Sequence, residues 1–391
     1  MPNIRPNIIW GLRLFFLCLG LAMGTWGAHV PSAKGLYAID EGTLASALIT
    51  AGLAGIIGLS QAGRMVNQLG PPKAAWLTGG IMALCLILTL LTDWLPLLFL
   101  ALALFGFVGC CFDIAINTMA SELEHQSGRP LMSGFHGLFS LGGMCGAGLV
   151  SGLFALGVAP LNQMVSAAAC IALICWVASR WTQAWAVGLH AEAGKRPRLR
   201  DHWRPLAALG LLIGLGLLTE GAAYDWSVLY VRESLGASES VSVMAFAAFS
   251  GAMAAGRFGG DWLRARLSSL ALLRISAVTT LLGLGAVVTT QSAVVGILGY
   301  GVAGLGLANV VPILFAAASR AQGPSRAHNI AVVSALGTAG FMLGPPLVGF
   351  MAEISSLRLG IASTLLGVAL LLVLARRGLG EPARERLGGS Q

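Results

Sequence analysis

Charged residues are scarce in this sequence. Asp, Glu, Lys and Arg make up 10% of its 391 residues, against about 25% in an average soluble domain. Hydrophobic residues account for 56%, and the mean hydropathy is +0.81. So few charges cannot cover a water-exposed surface, which excludes the class of ordinary soluble proteins. The composition predicts an all-α polytopic membrane protein, and its 53 glycines suit close packing of membrane helices.

The sequence also lacks the signatures of several catalytic and metal-binding classes. It contains no G-x-x-x-x-G-K loop, so ATP-driven pumping is not supported. Its seven cysteines all fall inside apolar segments, where cysteine is typically a packing residue rather than a disulfide partner or a metal ligand. We therefore expect a protein that is not an enzyme, with no cofactor and no metal site.

Apolar runs long enough to cross a bilayer recur along the chain. A hydrocarbon core about 30 Å thick requires roughly 20 apolar residues per helix. The first run, Trp10 to Val30, lacks an A-x-A-like cleavage site and is interpreted as an uncleaved span. Eleven more are predicted at about 44–63, 74–92, 95–119, 131–157, 161–184, 205–230, 241–259, 268–289, 293–319, 329–352 and 356–375.

The twelve predicted spans divide six and six. The one long polar interruption is the basic stretch from His190 to Arg204, interpreted as a connection between two halves. The predicted organisation is an N-terminal six-helix half (1–184), a cytoplasmic linker (185–204), a C-terminal six-helix half (205–376) and a cytoplasmic tail (377–391).

Basic residues indicate the orientation. With a cytoplasmic N-terminus, only Lys34, Arg232 and Arg358 lie outside, and the other basic residues collect inside, as the positive-inside rule requires. We therefore expect a multi-pass protein of a bacterial-type inner membrane, with both termini cytoplasmic. The net charge of +8 then reflects topology and attraction to anionic lipid. No nucleic-acid partner is expected, because the basic stretch lies between two spans.

An internal repeat supports the division into halves. The sequences GRMVNQLGPPK from Gly63 and GRFGGDWLRAR from Gly256 each carry a Gly-Arg that is interpreted as leaving a membrane segment into a tight basic turn. GAGLV from Gly146 has its counterpart in GPPLV from Gly344. Halves built on one plan are typical of transporters that hold their substrate at the midplane. The residues predicted to form gates and turns are Gly63, Arg64, Gly70, Gly256, Arg257 and Asp261.

The spans, the linker and the paired Gly-Arg turns resemble the major facilitator superfamily over essentially the whole chain. In that family the turn after the second span carries a glycine, three residues, an acid, and then a glycine and basic residues. Gly63, Gly70 and Lys73 match this pattern, whereas Asn67 stands where the acid should be. The resemblance implies an inner gate at this turn, in which Asp261 of the second copy takes over part of the missing charge.

Two strings carry a narrower resemblance. EGAAYDWSVLY (220–230) and GRPLMSGFHGLFSLGG (128–143) are similar to sequences of the fucose-permease-like branch, with its YbjJ-type and MosC-type inner-membrane proteins. This resemblance implies a proton-coupled carrier for a small polar solute such as a sugar or polyol.

Ionisable groups at membrane depth are candidates for proton coupling. A charged side chain near the bilayer centre costs at least ~2.5–3.5 kcal/mol, so such groups usually carry function. Glu220 lies about 15 residues, or ~22 Å, beyond Pro205. It is predicted to bind and release a proton as access alternates; the alternative is a structural tie to a neighbouring helix. Asp225, one turn farther out, is a second candidate.

Asp113 and His136 form a second group of candidates. Helical spacing places Asp113 and Asn117 on one face of the fourth span, and the fifth span brings His136 to a similar depth. The two could meet and relay protons or form an inner gate, since imidazole titrates near neutral pH. Alternatively, Asp113 neutralises Arg64, Arg129 or His136 and holds the bundle closed.

Several side chains are candidate solute ligands. Tyr224 shares a face with Glu220, and Trp226 is expected to stack on a sugar ring near the outer mouth. Asn309 precedes Pro312, which removes a backbone donor and bends its helix. The predicted solute-binding set is Trp26, Asn117, Ser140, Tyr224, Trp226 and Asn309.

Three function classes remain compatible with these sequence features. A secondary active transporter that takes up a sugar-like solute with protons is the first. The alternative on the same fold is an exporter of a drug or metabolite by proton antiport, and a non-transporting sensor or assembly protein is the third. The expected partners are a small-molecule solute, protons and the lipid bilayer, with the protein a monomer.

Overall fold

The computed structural model describes residues 6–128, 131–183, 185, 203–321 and 326–379. Within these ranges the regular structure is entirely helical. The thirteen α-helices are α1 (Pro6–Tyr37), α2 (Glu41–Leu69), α3 (Pro71–Leu88), α4 (Leu95–Ser127), α5 (Met132–Ala155), α6 (Pro160–Thr182), α7 (Trp203–Glu233), α8 (Glu239–Arg264), α9 (Ser269–Thr289), α10 (Ala293–Leu307), α11 (Val310–Arg320), α12 (Arg326–Ile354) and α13 (Leu357–Leu379).

These helices form twelve segments that are long and apolar enough to cross a membrane, which confirms the predicted number of spans. The tenth segment, Ala293–Arg320, is broken between α10 and α11. Pro312 lies in the first turn of α11 and Asn309 is its N-cap residue, so the helix is interrupted at the place where a bend is expected. We call the membrane face at which α1 begins the N-side, and the opposite face the far side.

The interpretation of the Gly-Arg pairs as turns is wrong. Gly63 and Arg64 lie inside α2, and Gly256 and Arg257 lie inside α8, five or more residues before each helix ends. The turn after α2 is made by Gly70, whose φ of 77° favours glycine, as predicted. No proline interrupts either helix after its Gly-Arg, so nothing in the backbone chemistry forces the helix to end there.

Most of the predicted linker, residues 186–202, and the tail residues 380–391 lie outside the described ranges. The division at 185–204 therefore stays a prediction. At the other boundary, α13 continues to Leu379, beyond the predicted end of the last span.

The helices pack as two halves. In the first half α1 lies against α5 and α6, and α4 lies against α2 and α3. In the second, α7 lies against α12 and α13, and α10 against α8 and α9. The halves meet where α5 packs on α8, α2 on α12 and α1 on α7.

Glycine contacts repeat between the halves. Gly146 of α5 packs on the backbone of Leu21 in α1, and Gly344 of α12 packs on the backbone of Leu218 in α7. A side chain at either glycine would overlap the neighbouring helix, so small residues set both close approaches. The internal repeat read from GAGLV and GPPLV therefore corresponds to equivalent helix pairs.

We predict that Gly106→Ala destabilises the fold, because the added Cβ would overlap the carbonyl oxygen of Ala51 where α4 packs on α2. Such overpacking costs about 1–3 kcal/mol. Gly109→Ala is the control, since a Cβ at this position of the same helix meets no atom within 4 Å. Thermal unfolding midpoints in one detergent should fall for Gly106→Ala alone. Equal midpoints for the two variants would contradict this packing.

Candidate functional site

Asp113 faces the space between the halves. On one side of it Phe112 packs edge-on against Phe15 of α1, with ring centroids 5.8 Å apart. On the other, the thiol of Cys111 lies 3.6 Å from the carbonyl oxygen of Gly58 in α2. Asp113 follows these two residues on α4 and is half-buried, and we infer that its carboxylate points into the space between the halves, called the central space below.

Asn117 completes this face of α4. Its amide nitrogen donates to the carboxylate of Asp113 at 2.8 Å and to the Asp113 carbonyl at 2.9 Å. Among the described residues, its amide oxygen accepts no hydrogen bond. The carboxylate and the amide therefore form one polar pair directed at the central space, as the helical spacing predicts.

His136 faces the same space from α5. The preceding residue, Phe135, stacks on Phe16 of α1 at 5.2 Å between centroids, and the following residue, Gly137, is covered by Phe258 of α8. His136 is half-buried between these contacts. No hydrogen bond or ion pair joins His136 to Asp113 in the part of the chain that the structure describes, so the expected contact between them does not form.

The centre of the site is an ion pair between α7 and α8. Nη2 of Arg257 donates to Oε1 of Glu220 at 3.1 Å, and the side chains are only 7% and 5% exposed. Nη1 of the same guanidinium crosses to the other half, where it donates to Oγ of Ser140 at 2.6 Å and to the carbonyl of His136 at 3.3 Å. One cation thus joins the acid of the second half to α5 of the first.

Two more hydrogen bonds join α5 to α8 around this cation. The hydroxyl of Ser133 donates to the Arg257 carbonyl at 3.1 Å, and the hydroxyl of Ser250 donates to the Ser140 carbonyl at 2.8 Å. Ser140, predicted to bind solute, is therefore part of the contact between the halves, and its hydroxyl is already paired with Arg257.

Aromatic rings cover the pair on its far side. Tyr224, one turn beyond Glu220, is buried among Phe139, Phe246, Phe249 and Phe341, with centroid distances of 5.0 to 6.3 Å. These rings come from α5, α8 and α12. They separate the ion pair from the far side, so Tyr224 shares the face of Glu220 as expected but belongs to an aromatic layer.

The far side is closed by polar contacts between the halves. Nε1 of Trp26 donates to Asp225 at 3.1 Å. At the surface, Nζ of Lys34 lies 2.9 Å from Glu41 and 2.8 Å from Glu233. Trp26 and Asp225, predicted as ligand and proton carrier, are therefore partners of each other in this structure.

The halves separate toward the N-side along α2 and α12. Near the far side Gly42 donates its N–H to Glu353 at 3.1 Å. Near the middle of α2, a Cβ on Gly55 would lie 2.6 Å from Met342. Two turns farther along α2, Gly63 meets no neighbour within 4 Å and is exposed. The central space therefore widens toward the N-side.

Two predicted ligands face away from this space. Trp226 is 0% exposed, and its Nε1 donates to the carbonyl of Pro345 in α12 at 2.8 Å, so the expectation that it stacks on a solute is wrong. Asn309 is buried and donates to the carbonyl of Gly256 at 3.2 Å. Its amide therefore joins the break between α10 and α11 to α8 instead of facing a solute.

The alternative that Asp113 neutralises a nearby cation is not supported. Arg64 is exposed on α2, and no ion pair of Asp113 occurs among the described residues. Arg129 and the side chain of Asp261 lie outside the described part of the structure. Among the residues described, no group of three or more His, Cys, Asp or Glu side chains could hold a metal ion.

Sequence reasoning missed the partner of Glu220. Arg257 was interpreted as a turn residue, although it is the one basic residue of α8 before the last turn of the helix. An acid inside a membrane helix usually pairs with a cation, and this rule pointed to Arg257. The contacts of Lys34 with Glu41 and Glu233 carried no comparable signal, because all three residues lie near helix ends.

Comparison with known proteins gives one consistent result. A model of the Major Facilitator Superfamily matches residues 14–327. An uncharacterised MFS-type transporter of Yersinia pestis is 31% identical over 380 residues, covering 95% of this chain and 94% of that protein. The membrane protein MosC of Rhizobium meliloti is 25% identical over 340 residues, covering 86% and 82% of the two chains.

Solved structures of similar fold are also transporters. The nucleoside transporter NupG superposes with a TM-score of 0.71 at 14% identity, covering 94% of this chain and 97% of its own. A bacterial homologue of the human lysosomal transporter Spinster, inward-facing and occupied, gives a TM-score of 0.68 at 14% identity, covering 96% and 97%. At this identity the likeness concerns the fold alone.

We predict that Arg257→Gln destabilises the protein by about 3–5 kcal/mol, because it leaves the buried carboxylate of Glu220 without a countercharge. The double variant Glu220→Gln/Arg257→Gln should lose less. Denaturation in mixed micelles would measure these free energies of unfolding. The control is Arg232→Gln, which breaks the exposed pair with Glu239 and should cost under about 1 kcal/mol. A double variant as unstable as the sum of the single variants would contradict the pairing.

Proposed function

Because this chain belongs to the Major Facilitator Superfamily and is a membrane transporter, we propose that it moves a small polar solute of the sugar or polyol class together with protons. In this proposal the halves alternate in opening to the two sides. Glu220 carries the coupling proton, and the polar pair of Asp113 and Asn117 contributes to the solute site.

The observation that supports proton coupling is the ion pair of Glu220 and Arg257. Two charges buried inside a membrane protein are costly unless they are paired, and replacing them with apolar residues is often neutral or stabilising. Charges that persist at this depth usually carry function. Of the four ion pairs in the described residues, this pair alone has both side chains under 10% exposed.

The shared guanidinium suggests how a proton could change the contact between the halves. While Glu220 is ionised, Arg257 is attracted to it and also donates to Ser140 and His136 of α5. A proton on Glu220 removes the negative charge and weakens that attraction. The orientation of Arg257, and with it the contact of α5 with α8, then depends on the protonation of Glu220. One protonation form of Glu220 would then favour the state in which the contact between α5 and α8 is broken. Coupling requires such a difference in proton affinity between the two states.

The polar groups in the central space suit a hydroxyl-rich solute. The Asp113 carboxylate and the free amide oxygen of Asn117 accept hydrogen bonds, and His136 provides a ring that can donate or accept. A few convergent polar groups among apolar walls are typical of small-molecule sites. The predominantly apolar walls also leave room for the second candidate, an exporter of a drug or metabolite, and transport assays distinguish the two.

We further propose that the N-side is cytoplasmic. The distribution of basic residues supports this orientation through the positive-inside rule, and it assigns the protein to a bacterial-type inner membrane with both termini inside. The separation of α2 from α12 toward the N-side then corresponds to an inward-facing state. We propose that the protein works as a monomer, because each chain contains both halves.

We predict that Glu220→Gln abolishes solute-driven proton uptake by liposomes that contain the purified protein. The amide resembles a protonated carboxyl group but cannot release a proton, so exchange of solute across the membrane should persist. A panel of sugars, polyols and lipophilic cations would be screened by a pH-sensitive dye and by counterflow of labelled solute. Glu239→Gln, at the exposed pair with Arg232, is the matched control and should behave as wild type.

The outcomes of this screen separate the candidates. Proton uptake with a sugar or polyol, lost in Glu220→Gln but not in Glu239→Gln, supports symport. Proton release driven by a lipophilic cation, unchanged in Glu220→Gln, would overturn the proposal in favour of an exporter coupled elsewhere.

We predict that Asp113→Asn raises the KM for the solute about tenfold or more, because a hydrogen bond to a charged group contributes about 1.5–3 kcal/mol. The number of protons per solute should not change. Initial rates in the same liposomes give both quantities. Loss of proton movement with an unaltered KM would instead assign the coupling to Asp113.

A further inference from the structure

A cavity of about 390 Å³ opens at the N-side beside the ion pair. It lies between the first two turns of α1 and of α5 and the second half of α8, and its lining includes Trp10, Arg13, Gly134, Arg257 and Phe258. Its volume is within the range of small-molecule sites. The Asp113 and Asn117 face is not part of its lining, so this cavity is distinct from the proposed solute site.

The charge of the lining selects for an anion. Arg257 is already paired with Glu220, whereas Arg13 has no ion pair among the described residues. No acidic side chain of the described chain lines the cavity. The nearby carboxylate of Glu124 accepts the N–H groups of Leu131 and Met132 at 2.6 and 2.9 Å. The cavity therefore presents one uncompensated positive charge, that of Arg13.

The rim of the cavity is aromatic and accessible. Trp10 and Phe258 are each 54% exposed, and the guanidinium of Arg13 lies over the Trp10 ring at 4.5 Å. Arg13 is seven residues into α1, about 10 Å from the helix start. Tryptophan and arginine at this depth are typical of the zone where lipid headgroups meet acyl chains. A ligand here would contact a cation at one end and exposed aromatic surface at the other.

We propose that this cavity binds an anionic phospholipid from the N-side leaflet. Its phosphate would pair with Arg13, and its acyl chains would lie along Trp10 and Phe258. The space for the headgroup is next to Gly134, where a Cβ would meet no atom within 4 Å. Because Arg257 lines the same cavity, the bound lipid would adjoin the pair of Glu220 and Arg257. The binding itself does not depend on which solute is carried.

Native mass spectrometry of the detergent-purified chain, titrated with phosphatidylglycerol or phosphatidylcholine, tests this site. We expect one phosphatidylglycerol to bind in preference to phosphatidylcholine. Arg13→Gln should weaken this binding about fivefold, the effect of one basic residue facing an anionic lipid. Gly134→Leu should weaken this binding by filling the headgroup space. Leucine has a higher helix propensity than glycine, so this replacement does not itself disfavour the helix.

Each variant has a matched control elsewhere in the chain. Arg266 also lies over a tryptophan ring, Trp262, at 3.9 Å but does not line the cavity, so Arg266→Gln should bind as wild type. Gly148, exposed on α5 with no neighbour within 4 Å of a Cβ, provides Gly148→Leu. Thermal midpoints would verify folding of all four variants, and the two test variants probe the site independently.

Three results would overturn the proposal. The first is undiminished phosphatidylglycerol binding by both folded test variants. The second is an equal loss in Arg266→Gln, which would indicate attraction to surface charge in general. The third is displacement of the lipid by equimolar inorganic phosphate, which would indicate a site for a free anion.

Discussion

The guanidinium of Arg257 forms hydrogen bonds to both halves of the molecule at once. It neutralises Glu220 within the second half, and it donates to Ser140 and His136 of the first half. Its charge cannot be left unpaired at this depth without a cost of several kcal/mol. The packing of α5 on α8, the position of α7 and the aromatic layer around Tyr224 are therefore all arranged around one buried cation.

Glycine makes this arrangement possible. Gly142 and Gly146 of α5 let α1 approach closely, and Gly340 and Gly344 of α12 do the same for α7. In a membrane, where no hydrophobic effect drives helices together, such close contact supplies much of the association energy. The two halves therefore share one packing scheme, and the polar residues at their interface differ. Arg257 sits at the contact of α5 with α8, whereas glycines and Met342 form the contact of α2 with α12.

The two membrane faces are built differently. On the far side the halves are joined by Lys34 with Glu233, by Gly42 with Glu353 and by Trp26 with Asp225. Toward the N-side α2 and α12 separate, and Asp113, Asn117 and His136 border the space between the halves. In the proposed alternation of the halves, one set of contacts breaks while another forms, and partly exposed ion pairs suit that task because each contributes little to stability. The buried pair is the stronger constraint, because removing either partner would leave an uncompensated charge.

The sequence by itself determined the membrane class, the twelve spans, the interruption before Pro312 and the polar faces of α4 and α5. These features follow from local hydropathy, from the missing N–H of proline and from helical periodicity, which act within a few residues. Only the tertiary structure decided the hydrogen-bond and ion-pair partners of the polar residues. Arg257 pairs with Glu220, Trp226 donates to Pro345, and Asn309 donates to Gly256, because the rotation of each helix is set by contacts with distant segments. A local pattern shows that a residue is polar and how deep it lies, but the neighbouring helices decide whether it faces the central space or another backbone.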